Sequence, residues 1–255
     1  MSGILYLCGT PIGNLEDMTF RAVRTLKEAD LIAAEDTRNS IKLLNHFEIH
    51  TPMTSYHEYN KIEKGRELVE KMRQGMKIAL ITDAGMPGIS DPGEELTAMA
   101  LEAGIPVTAV PGPAACVTGL VLSGLPSRRF AFEAFLPQDK KERREILREL
   151  KEEFRTTVLY EAPHRLLRTL EELREVLGES RRAAVCRELT KKHETLFRGT
   201  LGEACAHYRQ EAPRGECVLV LEGRSRLEVR QAEQENWKAM SLEAHMALYM
   251  EKGMD

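Results

Sequence analysis

Carboxylates sit beside turn-forming or basic residues at two places in this chain, and both could hold a ligand or move a proton. The first is Thr82-Asp-Ala-Gly-Met-Pro-Gly-Ile-Ser-Asp-Pro-Gly93, where Asp83 and Asp91 lie among Gly85, Gly88, Gly93, Pro87 and Pro92. A strand-to-helix connection usually takes about two to six residues. A longer one this rich in Gly and Pro is stiff and lets a ligand come close to the backbone. Turns alone need one or two such residues, so a purely structural loop is the weaker reading. The second place is Glu35-Asp-Thr-Arg38. It could supply a base and a cation, or it could be a helix cap with a surface arginine. Gly9 and Gly13 follow an apolar run, and Glu35 comes roughly twenty residues on, as in a dinucleotide site. There is no G-x-G-x-x-G, however, and the next helix starts near Thr19, too late to aim its N-terminus at a pyrophosphate. A nicotinamide cofactor ranks well below the other readings.

These residues need elements to position them. Apolar runs over 31–34 and 78–81 read as buried strands that end at Glu35 and Thr82. Further strands are expected over 4–8 and 107–110. Helical faces alternate with them: Ala22, Val23, Leu26 and Ala29 after an N-cap at Thr19; Leu43, Leu44 and Phe47; Ile62, Val69 and Met72; Leu96, Met99, Ala100 and Ala103. That alternation predicts an α/β fold with a parallel sheet. Ligands in such sheets bind outside the carboxyl ends of the strands, where both stretches lie. Residues 51–60 read as irregular and polar. Pro111-Gly-Pro113 reads as a hinge. Beyond it, 117–122 is apolar enough for a buried helix, and strands are expected over 130–135, 157–160, 183–188, 196–200 and 217–222. Helices between them should bury Ile146, Leu147 and Leu150, then Leu166, Leu170, Leu173 and Leu177, with His164 as a cap. Adjacent strands between 187 and 200 make the second sheet mixed. The division is therefore 1–112, an N-terminal α/β domain; 113–223, a C-terminal α/β domain; and 224–255, a helical tail with Leu242, Met246 and Tyr249 on one face.

Composition narrows the class. At 255 residues with 42% hydrophobic and 30% charged content, the chain can bury two modest cores under a soluble surface. No run is long enough to span a membrane, and no secretion signal precedes the first strand, which suggests the cytoplasm. Five cysteines form no C-x-x-C pair and sit mostly in apolar runs, as buried free thiols do. The seven histidines show no ligand spacing, so no metal is expected. Net charge is -4, unevenly spread. Residues 1–112 hold 11 Lys and Arg against 16 Asp and Glu, whereas 113–223 hold 20 against 18. A polyanion would meet the second segment more readily.

The central loop belongs to a longer series. Thr10-Pro-Ile-Gly-Asn-Leu-Glu-Asp-Met-Thr19, Glu35-Asp-Thr-Arg38, Val110-Pro-Gly-Pro-Ala-Ala115, Phe135-Leu-Pro137, Tyr160-Glu-Ala-Pro-His-Arg165, Arg187-Glu-Leu-Thr-Lys191 and Gly215-Glu216 accompany it in order. Taken together they resemble the tetrapyrrole methylase superfamily, and within it the group that methylates small-subunit ribosomal RNA. The resemblance runs from about Ile4 to Gly223. It implies a two-domain class III methyltransferase, a homodimer, with S-adenosylmethionine folded into the cleft between the domains. It implies 2'-O-ribose methylation of one decoding-region cytidine of 16S rRNA, on naked RNA or on the small subunit. The alternatives are a methylase of a corrin or other tetrapyrrole, whose first loop carries G-x-G-P-G where this chain has Gly9-Thr-Pro-Ile-Gly13, or a non-catalytic RNA-binding factor on the same fold.

Carried over motif by motif, the cofactor residues are Asp83, Ala84, Gly85, Gly88, Ala114, Ala115, Tyr160 and Leu189. Glu35, Asp36 and Arg38 are the catalytic candidates. His57, Glu161 and Lys191 are the other groups that could accept a hydroxyl proton. Arg38, Arg165, Arg187 and Lys191 are expected on the RNA side. Two departures stand out: relatives often have Ser at the position of Ala114 and Gly at that of Ala134. The tail resembles the opening of the helical appendage of many members, most of it missing here.

Overall fold

The computed structural model describes residues 3–227, 229 and 230. The expected tail helix with Leu242, Met246 and Tyr249 lies outside the described residues. Two five-stranded sheets form the framework. The first is built from β1 (Ile4–Cys8), β2 (Leu31–Ala34), β3 (Met53–Ser55), β4 (Lys77–Ile81) and β5 (Val107–Val110). Its order is β3-β2-β4-β1-β5, and every pairing is parallel. Between these strands run α1 (Phe20–Glu28), α2 (Thr37–His46), α3 (Lys61–Arg73) and α4 (Gly93–Glu102). β2 is buried along its whole length, as an interior strand of a parallel sheet must be. Leu68, Met72 and Leu96 cover one face of the sheet, and Leu26 and Leu44 cover the other.

The second sheet comprises β6 (Phe130–Phe135), β7 (Thr156–Glu161), β8 (Arg182–Arg187), β9 (Thr195–Thr200) and β10 (Cys217–Leu221) in the order β6-β7-β10-β8-β9. Only β6 and β7 are parallel, so the sheet is mixed, as the sequence implies. α6 (Lys140–Glu152), α7 (Pro163–Leu177) and α8 (Leu201–Gln210) pack on one face, and α5 (Ala115–Ser123) packs on the other. Ile12, from the loop after β1, is buried in that second cluster and ties the two sheets together.

Several local expectations change. The segment 51–60 is not wholly irregular, because it contains β3, a three-residue edge strand too short and too half-buried to show alternation. α8 has a capping box between Thr200 and Glu203, a signal readable in the sequence but absent from the expected elements. α3 buries Gly65, Leu68, Val69 and Met72, while Ile62 in its first turn is exposed. Helical side chains lean toward the N-terminus, so Ile62 covers ground ahead of the helix. α5 is buried on one face only, with Val117 and Val121 open. His164 does not cap α7: the N-cap is Ala162, with no side-chain hydrogen bond.

Ala134 bears on stability. The β6–β7 register shifts between Phe132 and Ala134, and Ala134 adopts φ 51° at this bulge. A left-handed conformation costs a non-glycine residue about 1–2 kcal/mol, against roughly 0.4–1 kcal/mol of extra chain entropy for glycine. Ala134→Gly should therefore raise the thermal unfolding midpoint by about 1–3 °C. A calorimetric scan showing a lower midpoint would mean that the bulge carries no such strain.

Candidate active site

The cleft begins with the loop between β4 and α4. Asp91 shapes it from within: its carboxylate accepts hydrogen bonds from the backbone N–H groups of Gly88, Ile89 and Gly93, the last at 2.7 Å. Gly85 exchanges two backbone hydrogen bonds with Thr10, at 2.9 and 3.1 Å, which fastens the loop to the turn after β1. Gly85 has φ 87°, a conformation that an L side chain rarely adopts. Gly9 and Gly112 bring the turns after β1 and β5 together: a Cβ on Gly9 would lie 2.7 Å from the Cα of Gly112. These strand-end loops converge at the carboxyl edge of the first sheet and face the ends of β7 and β8 and the start of β10.

Between them lies a cleft of about 480 Å³. Seven of the eight residues carried over for the cofactor line it: Asp83, Ala84, Gly85, Ala114, Ala115, Tyr160 and Leu189. Gly88 does not; its N–H is held by Asp91 and it belongs to the loop's interior. Tyr160 is fixed by the N–H of Cys116, which donates to its hydroxyl at 3.1 Å, and by the rings of Phe132 and Phe135. Burial holds its phenol protonated well above the ordinary range. Met86, Phe135 and Glu216 also line the cleft; all three fall within the quoted motifs, but none was assigned a site role from the sequence.

The lining carries four carboxylates, on Glu35, Asp83, Glu161 and Glu216, and no Lys, Arg or His. Glu161 is paired with Arg165 and Glu216 with Lys191, so Glu35 and Asp83 carry the charge that favours a ligand with net positive charge over a polyphosphate. S-adenosylmethionine, with a sulfonium and an ammonium against one carboxylate, fits this balance. A dinucleotide does not.

The candidate catalytic residues separate. Glu35 lines the cleft, and its Oε2 accepts from the Thr82 hydroxyl at 2.8 Å and from the Asp83 N–H at 3.5 Å. Asp36 is the N-cap of α2, accepting from the Arg38 N–H at 2.9 Å, and it grips the Arg38 guanidinium through both oxygens. Those hydrogen bonds pull the Asp36 carboxyl down to about 2. A carboxylate so weakly basic is a poor proton acceptor. Arg38 itself points to solvent, its side chain 89% exposed. Asp83 accepts from the Asp36 N–H and from the Asn39 amide, so the ends of β2 and β4 are cross-braced.

The other candidates are placed as follows. Glu161 is 3% exposed and spends its oxygens on the Ala162 N–H, the Thr169 hydroxyl and an ion pair with Arg165 at 3.0 Å. Arg165 lines a separate recess with Arg143 and Arg168. Arg187 lines neither the cleft nor that recess; it donates to the Thr195 hydroxyl and the Arg214 carbonyl. Lys191 lies between Glu188 and Glu216, at 3.0 and 2.8 Å, with its stem against Gly13. Burial works to lower its pKa, but hydrogen bonds to Glu216 and Glu188 prevail and raise it, so it stays an ammonium. His57 is outside the cleft lining, on the loop after β3, its N–H donating to Asn60. Among the described residues no cluster of His, Cys, Asp and Glu could hold a metal ion, and no helix is long and apolar enough to cross a membrane.

Two α/β layers sharing a strand-end cleft of this charge define a class III methyltransferase, an enzyme that uses S-adenosylmethionine. The chain belongs to the Tetrapyrrole (Corrin/Porphyrin) Methylases, whose family model matches residues 4–205, and within them to the ribosomal RNA small subunit methyltransferase I group. Relatives bearing that name are 50% identical in Halalkalibacterium halodurans, over 98% of this chain and 86% of the relative. In Synechocystis sp. the identity is 53%, over 87% of this chain and 79% of the relative; in Bacillus subtilis it is 47%, over 98% and 85%. Among solved structures, uroporphyrin-III-C-methyltransferase from Thermus thermophilus superposes with a TM-score of 0.61 at 22% identity, covering 86% of this chain and 94% of that one. Diphthine synthase superposes at 0.64 and 13% identity, over 87% and 90%. These two share the fold.

Proposed function

We propose that this chain methylates the ribose 2'-hydroxyl of one decoding-region cytidine in small-subunit ribosomal RNA. The observation that carries the substrate is the identity of about half the residues, over nearly the whole chain, with relatives named Ribosomal RNA small subunit methyltransferase I. The acidic cleft supports the donor. Residues 1–112 and 113–223 are read as the two domains that enclose it, in a homodimer working in the cytoplasm.

S-adenosylmethionine supplies an activated methyl group for in-line displacement. The protein's share is position and proton handling. Main-chain groups of Asp83, Ala84 and Gly85, with Ala114, Ala115 and Leu189 opposite, hold the donor. Tyr160 closes the apolar end. Glu35 is the group best placed to accept the hydroxyl proton, since it lines the cleft and, unlike Asp36, is not bound to a guanidinium. Asp36 and Arg38 serve α2 and the RNA side. Arg165, Arg187 and Lys191 bear on the RNA through the surface between β7, β8 and β10.

The test is mass-spectrometric mapping of ribose methyls in 16S rRNA from cells with and without the protein, beside reactions of purified protein with small subunits. Loss of one decoding-region methyl in its absence is expected. An unchanged map, with methyl transfer to a tetrapyrrole in vitro, would replace the RNA reading by the corrin one. An unchanged map with RNA binding and no transfer would leave a binding factor. A monomeric mass in light scattering would remove the dimer.

A further inference from the structure

Beside the donor cleft lies a second chamber of about 370 Å³. It shares four walls with the cleft, Ile12, Asp83, Ala84 and Glu216, so the two spaces adjoin with no separating layer. Its other walls differ in kind. Asn39, Lys42 and Leu43 come from α2, and Lys191 from the strap after β8. Where the cleft has carboxylates and no cation, the chamber adds two lysines and an amide.

The two lysines are not equivalent. Lys191 is clasped by Glu188 and Glu216. Lys42 is exposed, and its ammonium has no hydrogen bond or ion pair among the described residues. Residues 39, 42 and 43 fall on one face of a helix, since side chains three and four apart are neighbours. The Asp36 cap starts α2 immediately above Asp83 and turns that face toward the chamber. Asn39 is held there by the hydrogen bond its amide N–H donates to Asp83, 3.3 Å long, which leaves its side-chain carbonyl oxygen without a hydrogen bond among the described residues.

We infer that this chamber seats the acceptor nucleotide of an RNA strand, with Lys42 holding its phosphate and Asn39 positioning the nucleoside beside the donor cleft. The inference rests on the RNA reading above and deepens it. A phosphate is disfavoured beside Glu35, which lines only the cleft, and drawn to the Lys42 ammonium, which lines only the chamber. The sugar then lies on the side of the shared residues Asp83 and Ala84, toward the methyl donor and Glu35. α2 carries the contact, so the acceptor is held by the same helix whose cap braces the donor loop.

The experiment compares wild type with Lys42→Ala, Lys42→Glu, Lys42→Arg and Asn39→Ala. It measures binding of small ribosomal subunits across a salt series, single-turnover methylation and calorimetric S-adenosylmethionine binding. Lys42→Ala should reduce the slope of log affinity against log salt by about one and Lys42→Glu should weaken RNA binding at least about tenfold, while Lys42→Arg restores both. Asn39→Ala should slow single-turnover methylation at saturating RNA without changing the salt slope. Cofactor affinity should hold in the three Lys42 variants and change at most about a few-fold in Asn39→Ala, which removes one of the two hydrogen bonds to Asp83. Wild-type salt slope and RNA affinity in both Lys42→Ala and Lys42→Glu would overturn the assignment, as would loss of cofactor binding with RNA binding intact. A wild type that methylates no RNA would instead sink the underlying reading, and the two failures are told apart by that control.

Discussion

Gly85→Val should abolish measurable cofactor binding while the protein still folds. Gly85 lies at φ 87°, and a Cβ there would meet Ile12 and the Pro113 carbonyl oxygen, both at 3.4 Å. One methyl would fit, but a branched side chain carries two more carbons toward the cleft between those walls. The left-handed backbone adds strain that a β-branched residue bears badly. Relief requires the loop to move away from Thr10, and with it the main-chain groups that line the cleft. A loss of about 3 kcal/mol corresponds to more than a hundredfold in Kd, and calorimetry of the purified variant measures it. Circular dichroism should show the wild-type helix and strand content, because the core clusters do not include Gly85. Wild-type affinity in a folded variant would place the donor elsewhere.

Glu35→Gln and Asp36→Asn, adjacent in sequence, should behave very differently. The first keeps the shape and the acceptor oxygen facing Thr82 but removes the proton acceptor of the cleft. General base catalysis is worth about 10²–10⁴-fold, and single-turnover methylation should fall by that amount with RNA and cofactor affinity within a few-fold of wild type. The second leaves a good helix cap, since Asn serves at that position as well as Asp. It loosens the grip on Arg38 and should cost less than about tenfold. Equal losses in both would mean that Asp36 takes part in the proton transfer despite its low basicity. Full activity in Glu35→Gln would leave positioning alone to explain the rate.

The framework was largely legible because its signals are local and repeated. The apolar runs of β1, β2, β4 and β5 and the helical faces of α1, α4 and α7 appear in the structure close to their expected bounds. β3 was hidden because three half-buried edge residues have no periodicity to detect. α8 shows the opposite case: Leu201, Ala204, Cys205 and Tyr208 are spaced as a helical face behind a capping box, so the information was present. Within the site, the sequence marked the loops and could not rank their carboxylates. Glu35 and Asp36 are neighbours with like chemistry, and only the direction of each side chain, one toward Thr82 and one toward Arg38, separates them. Lys42 was hidden for a related reason. It belongs to no motif and matters only through the wall its helix presents to the chamber.

The loop around Asp91 leaves the chain both robust and exposed to chance. Its shape comes from backbone N–H groups gathered on a single carboxylate and from two main-chain bonds to Thr10. An exposed side chain that makes none of these bonds, such as Ile89, can therefore be exchanged over generations with little harm to the wall it stands on. A copying error at Asp91 or Gly85 has no such cushion. Mutational scanning would see this loop as tolerance at exposed positions such as Ile89 set between fixed points, and an inhibitor resting on main chain alone would lose little to resistance at the tolerant positions.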